Sequence, residues 1–142
     1  MHLRSALRLA IPFAIRDRLD LAQAYGNEGA EAEEARKACA GLKGLVGLKP
    51  SKFEPSQLEI ARLALLWGEQ YLDGYIDAIG TTDKQELKIS IRQRHQIRSA
   101  RFKHFGKTGL EVMCENAVLV DAQAYMLARI KAGRDLKGIQ HA

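Results

Sequence analysis

At 142 residues, 46% hydrophobic and 27% charged, the chain is long enough for one buried core and too apolar for a disordered or collagen-like protein. No run approaches the ~18 apolar residues that a membrane span needs, and no membrane partner is expected. The formal net charge is +5, and Cys39 and Cys114 lie 75 positions apart with no metal-type spacing, so two buried, reduced thiols in a cytoplasmic protein are expected ahead of a single disulfide.

The first helix is expected from about Leu3 to Tyr25, with Leu3, Leu7, Ala10, Ala14 and Leu21 on one stripe and a stop at Gly26-Asn27. Pro12 lacks an N–H and predicts a kink. Arg4, Arg8 and Arg16 precede or flank the first acid, Asp17, a composition shared with organelle transit peptides, but an ordinary first helix is the expectation. A second helix over 29–45 places Glu31, Glu33 and Glu34 before Arg36, Lys37 and Lys43, the order that suits the helix dipole. Gly41, Gly44 and Gly47 predict a frayed end.

Residues 47–55 read as the main loop. Pro55 suits a first helical turn, and Ser56 with Glu59 has capping-box spacing. The third helix, 55–79, is closed by Gly80 and is apolar over about half its circumference, which predicts a central position. Thr81-Thr82-Asp83 makes a tight connection, with Asp83 and Glu86 again at capping-box spacing. The fourth helix, about 84–105, should therefore fold back antiparallel. Leu87, Ile89 and Ile91 alternate with Lys88, Ser90 and Arg92, so minor strand content near 87–92 competes with it. Its apolar stripe (Leu87, Ile91, Phe102, Phe105) is interrupted by Arg94 and Arg98. A fifth helix over 109–132, apolar nearly all round, and a loose tail from about 134 complete the reading. The expected fold is all-α: a compact bundle of about five helices forming a single domain over 1–142.

One electrostatic feature stands out. Between Glu86 and Glu111 there is no acid, while Lys88, Arg92, Arg94, Arg98, Arg101, Lys103 and Lys107 contribute +7, leaving 5 − 7 = −2 for the rest of the chain. Concentrated positive charge favours a polyanion, because Lys and Arg bind phosphates by releasing counterions. Gln93, Gln96, Ser99 and Asn116 are candidates for polar readout, and Phe102 and Phe105 for stacking on unpaired bases. On the helical wheel the cations split: Lys88, Arg92 and Lys103 on one side, Arg94, Arg98 and Arg101 on another. The competing structural reading pairs arginines with Glu69, Asp73 and Asp77, an acidic ridge on the preceding helix.

Other constellations carry less. The ridge falls in a polar arc and reads as solvated acids rather than a metal or acid–base site. His95 and His104 are nine residues apart and fall on different faces of one helix. Cys114 reads as a core thiol. Trp67, Tyr71 and Tyr75 form a core stripe. Asn116 and Asp121 are out of place on an apolar helix, and an arginine of the fourth helix is a candidate partner for Asp121. No motif implies catalysis, a metal or a cofactor.

The expected function is that of a small, basic, non-catalytic accessory protein binding nucleic acid or a nucleoprotein through 88–107. The alternative is an inhibitor or interaction protein, of the kind carried by phages and other mobile elements, using the same face on an acidic partner. A homodimer built on the third or fifth helix is expected to cover surplus apolar surface.

Overall fold

Small residues set the central contact. A computed structural model describes residues 1–107, and in it Ala6, Ala10 and Ala14 form, with Leu7 and Ile11, a buried stripe along α1 (Leu3–Ala24). Ala61, Ala64, Leu65, Gly68 and Leu72 form its counterpart along α3 (Pro55–Ile79). The α1–α3 contact is the most extensive between any two helices. Leu42 and Leu45 of α2 (Gly29–Leu45) join this core, as do Ile97 and Ala100 of α4 (Lys84–Phe105). Among the described residues the fold is all-α, with four α-helices and a single 3₁₀ turn, Pro50–Lys52. The helices make one unit, Met1–Gly106. The expected fifth helix over 109–132, the tail from about 134, and with them Cys114, Asn116 and Asp121, lie outside the described residues.

Helix ends follow local chemistry. Gly80, at φ 56°, closes α3, and the Asp83 carboxylate accepts the Glu86 N–H at 3.1 Å to start α4. The capping box of α3 sits two residues earlier than expected. Because Pro55 occupies the first turn, Glu54 becomes the cap, and its N–H donates to Gln57 Oε1 at 2.9 Å. Glu59 instead pairs with Arg62 one turn on, and that hydrogen bond holds its carboxyl below the usual range. Helix α1 continues through Pro12, which lies on the exposed side where the missing N–H is tolerated.

Residues 87–92 are helical, so the strand alternative fails there. A helix presents Ser90, Ile97 and Arg101 to one side, and tertiary packing on α3 rewards that side; Ile89 and Ile91 are left 39% and 41% exposed. Helix α3 is central as expected, meeting α1, α2 and α4. Those neighbours cover much of its wide apolar face and leave Leu58 and Tyr75 40% and 37% exposed.

Gly68 marks the closest approach. A Cβ there would stand 3.0 Å from the Ala10 carbonyl oxygen and 3.1 Å from the Ala10 Cβ. At Gly74, on the open side of the same helix, a Cβ would meet nothing within 4 Å. Gly68→Ala is therefore expected to destabilise by up to about 2 kcal/mol, since overpacking outweighs the gain in helix propensity. Gly74→Ala should stabilise by about 0.5–1 kcal/mol. Urea denaturation of the pair should place the two midpoints on opposite sides of the wild type.

Candidate functional site

Six of the seven cations of the basic segment divide between the two sides of α4, and Lys107 follows its end. Its inward side carries buried Ser90, Ile97, Ala100 and Arg101, with Arg94 and Arg98 half-buried beside them. Facing them on α3 is Glu69, only 5% exposed. Arg98 Nε donates to Glu69 Oε1 at 2.6 Å, while Arg101 Nε and a terminal nitrogen donate to Oε2 at 3.1 and 3.0 Å. Arg94 donates to Asp73 Oδ1 at 3.1 Å, and Asp73 also lies 3.9 Å from Arg98. These arginines hold α4 on α3. Their charges are largely met within the fold.

Glu69 corrects the expectation of a solvated acidic ridge. A charged group leaves water only when paired and hydrogen-bonded, and two guanidiniums supply that pairing. Asp77, at the end of the ridge, is exposed. The signal for Glu69 was present in the spacing: Leu65, Glu69 and Leu72 recur at i, i+4 and i+7, which puts the carboxylate on the apolar stripe.

The outward side is different. Lys88, Arg92, His95, Ser99 and Lys103 are all exposed, and Gln96 is half-buried at their edge. Spacings of four, three, four and four residues set the five on one face, within an arc of about 100° opposite the packed side. Lys88, Arg92 and Lys103 have no ion-pair partner among the described residues. Lys107 is exposed just past the end of the helix. A cleft of about 310 Å³ beside the stripe is bordered by Met1, His95, Gln96, Ser99 and Lys103.

Both phenylalanines are half-buried. Phe105 packs against the core, and the Arg101 guanidinium lies 4.7 Å over the Phe102 ring. Arg101 thus covers one face of the Phe102 ring. Gln93 is half-buried toward the packed side. His104 Nε2 lies 3.1 Å from the Met1 carbonyl oxygen and does not join His95. Among the described residues no three His, Cys, Asp or Glu side chains come together as a metal site.

The aromatic stripe of α3 lies at the rim of the core: Tyr71 stacks between Phe13 and Tyr75 at centroid distances of 5.8 and 6.2 Å, and Arg18 covers Trp67 at 4.2 Å. The Tyr75 hydroxyl donates to Glu86 at 3.2 Å, and that carboxylate pushes its pKa up. Cys39 is a buried free thiol. Burial raises its pKa, against smaller opposing effects of Lys43 and Arg18. The unfolded chain ionises this thiol first, so its contribution to stability is present below the ordinary value of 9.0 and is lost as pH rises past it. Native Cys39 should resist iodoacetamide at pH ~8 and react once urea unfolds the chain, with mass spectrometry as the readout. No known family, no curated protein and no solved structure matches this chain.

Proposed function

We propose that this protein is a small, non-catalytic accessory factor that binds nucleic acid, alone or in a nucleoprotein, through the outward face of α4. One observation carries the reading: Lys88, Arg92 and Lys103 share a solvent face without ion-pair partners among the described residues, while the inward arginines of the same helix are paired. Uncompensated cations on a rigid helix form an electrostatic footprint for phosphates. Contacts of this kind position a nucleic acid without reading its sequence. No membrane partner enters the reading, and no helix among the described residues is long and apolar enough to cross one.

A mobility-shift titration across salt tests it. Binding is expected at low salt and should weaken steeply between about 50 and 200 mM. Failure of the folded protein to bind any nucleic acid at the lower salt overturns the reading. Capture of an acidic protein, lost on Lys88→Glu/Arg92→Glu and with no nucleic acid co-purifying, would turn the assignment to the inhibitor class. The proposal extends to a homodimer built on the third helix or on segment 109–132, with light scattering against the 15.8 kDa chain mass as its test.

A further inference from the structure

The stripe on α4 has an order along its length. Lys88 and Arg92 stand toward its N-terminal end and Lys103 in its last turn, with the neutral hydrogen-bonding side chains Gln96 and Ser99 between them. Eleven residues separate Arg92 from Lys103, or ~16 Å along a helix, and fifteen separate Lys88 from Lys103, or ~22 Å. The major groove of B-DNA is ~12 Å wide, admits an α-helix and is bordered by the phosphates of opposite strands.

Resting on the nucleic-acid reading above, the geometry points to duplex DNA as the ligand. Helix α4 crosses the major groove, Lys88 and Arg92 hold the phosphates of one strand, Lys103 holds those of the other, and Gln96 and Ser99 face the base edges. The cleft beside Gln96 and Ser99 leaves room for a base edge to approach. Glutamine pairs bidentately with adenine N6 and N7, and serine reaches any base edge.

Two observations set duplex DNA above the other nucleic acids. Single strands are gripped by aromatic platforms, and the stripe presents only the small His95 ring: Phe102 is half-buried with Arg101 over one face, and Phe105 packs against the core. Duplex RNA has a major groove too deep and narrow for side chains to read. The Glu69 clamp on the opposite side of α4 fixes the helix before any ligand arrives, so little ordering is left to occur on binding.

The experiment compares a short DNA duplex, its separate strands and the RNA duplex of the same sequence at one salt concentration, then selects from a random-sequence DNA duplex library. The wild type should favour the DNA duplex by about tenfold or more and enrich a base pattern, the discrimination expected of side chains reading base edges. Gln96→Ala/Ser99→Ala should lose the pattern and keep the salt dependence of binding. Equal or tighter binding to single strands or RNA, or selection without an enriched pattern, overturns this inference. If binding in those cases is still lost on Lys88→Glu/Arg92→Glu/Lys103→Glu, the broader nucleic-acid reading stands. No binding to any of the three, with the helical circular dichroism intact, overturns that reading itself.

Discussion

Glu69→Ala should lower folding stability by about 3–5 kcal/mol, because it takes a doubly bonded carboxylate away from a buried guanidinium. Arg101 is 4% exposed and donates twice to the lost carboxylate, so it cannot turn to water without opening the α3–α4 contact. The Arg98 side chain is 42% exposed and lies near Asp73, so it loses less. Glu69→Gln keeps the shape and removes the charge; it should retain only part of the clamp. Removing both partners is a different experiment. Glu69→Leu/Arg101→Met replaces a desolvated ion pair by apolar volume and should come out near the wild type or above it. Urea denaturation of the two single variants and the double gives the coupling energy directly. A Glu69→Ala loss under ~1 kcal/mol would mean that the fold readily hydrates this site.

Position separates this cluster from the other ion pairs. Arg16–Asp20, Arg36–Glu33 and Arg62–Glu59 join neighbours on one helix and are partly solvated. Each is worth about 0–1 kcal/mol, and none constrains how two helices meet. The Arg98–Glu69–Arg101 cluster does constrain it. Sliding α4 by one residue along α3 would remove both guanidiniums from a carboxylate that water cannot reach. The charge that makes α4 conspicuous in the sequence therefore has two separate consequences, one in register and one in the outward field.

Elements whose ends are written in short-range chemistry were legible before the fold was known. Gly80, Asp83 and Gly106 bound α3 and α4 through positive φ and a side-chain cap, and the expected limits of both helices hold. The burial pattern of α4 was not legible. Its apolar residues Leu87, Ile91, Phe102 and Phe105 define a stripe, yet the packed side is Ser90, Ile97, Ala100 and Arg101. An isolated wheel ranks positions by hydrophobicity and scores arginine as solvent-facing. A carboxylate on another helix reverses that ranking, and the two positions lie 32 residues apart. The split of the cations into two clusters was visible in the spacing. Which cluster faces water followed only once Glu69 was seen to be buried.

That division fixes the last expectation, the salt slope of nucleic-acid binding. If the three outward cations Lys88, Arg92 and Lys103 are the phosphate contacts, the logarithm of the binding constant should fall against log salt with a slope of about −0.9 × 3, or −2.7. Affinity then drops about fortyfold between ~50 and ~200 mM salt. Seven contacts, one for each cation of the segment, would give a slope near about −6 and a loss of several-thousand-fold over the same range. Lys88→Ala, Arg92→Ala and Lys103→Ala should each flatten the slope by about 0.9 and leave thermal stability within ~0.5 kcal/mol of the wild type, as expected for exposed positions away from packing. Arg101→Ala should do the reverse: a large loss of stability because buried Glu69 keeps only Arg98 of its two guanidiniums, with the slope of the surviving folded protein unchanged. Mobility shift or fluorescence anisotropy at four or more salt concentrations, paired with a melting curve for each variant, resolves the two patterns. A wild-type slope of −5 or steeper, or an Arg101→Ala slope that flattens with its stability intact, would place the inward arginines on the ligand and dissolve the distinction between the two sides of α4.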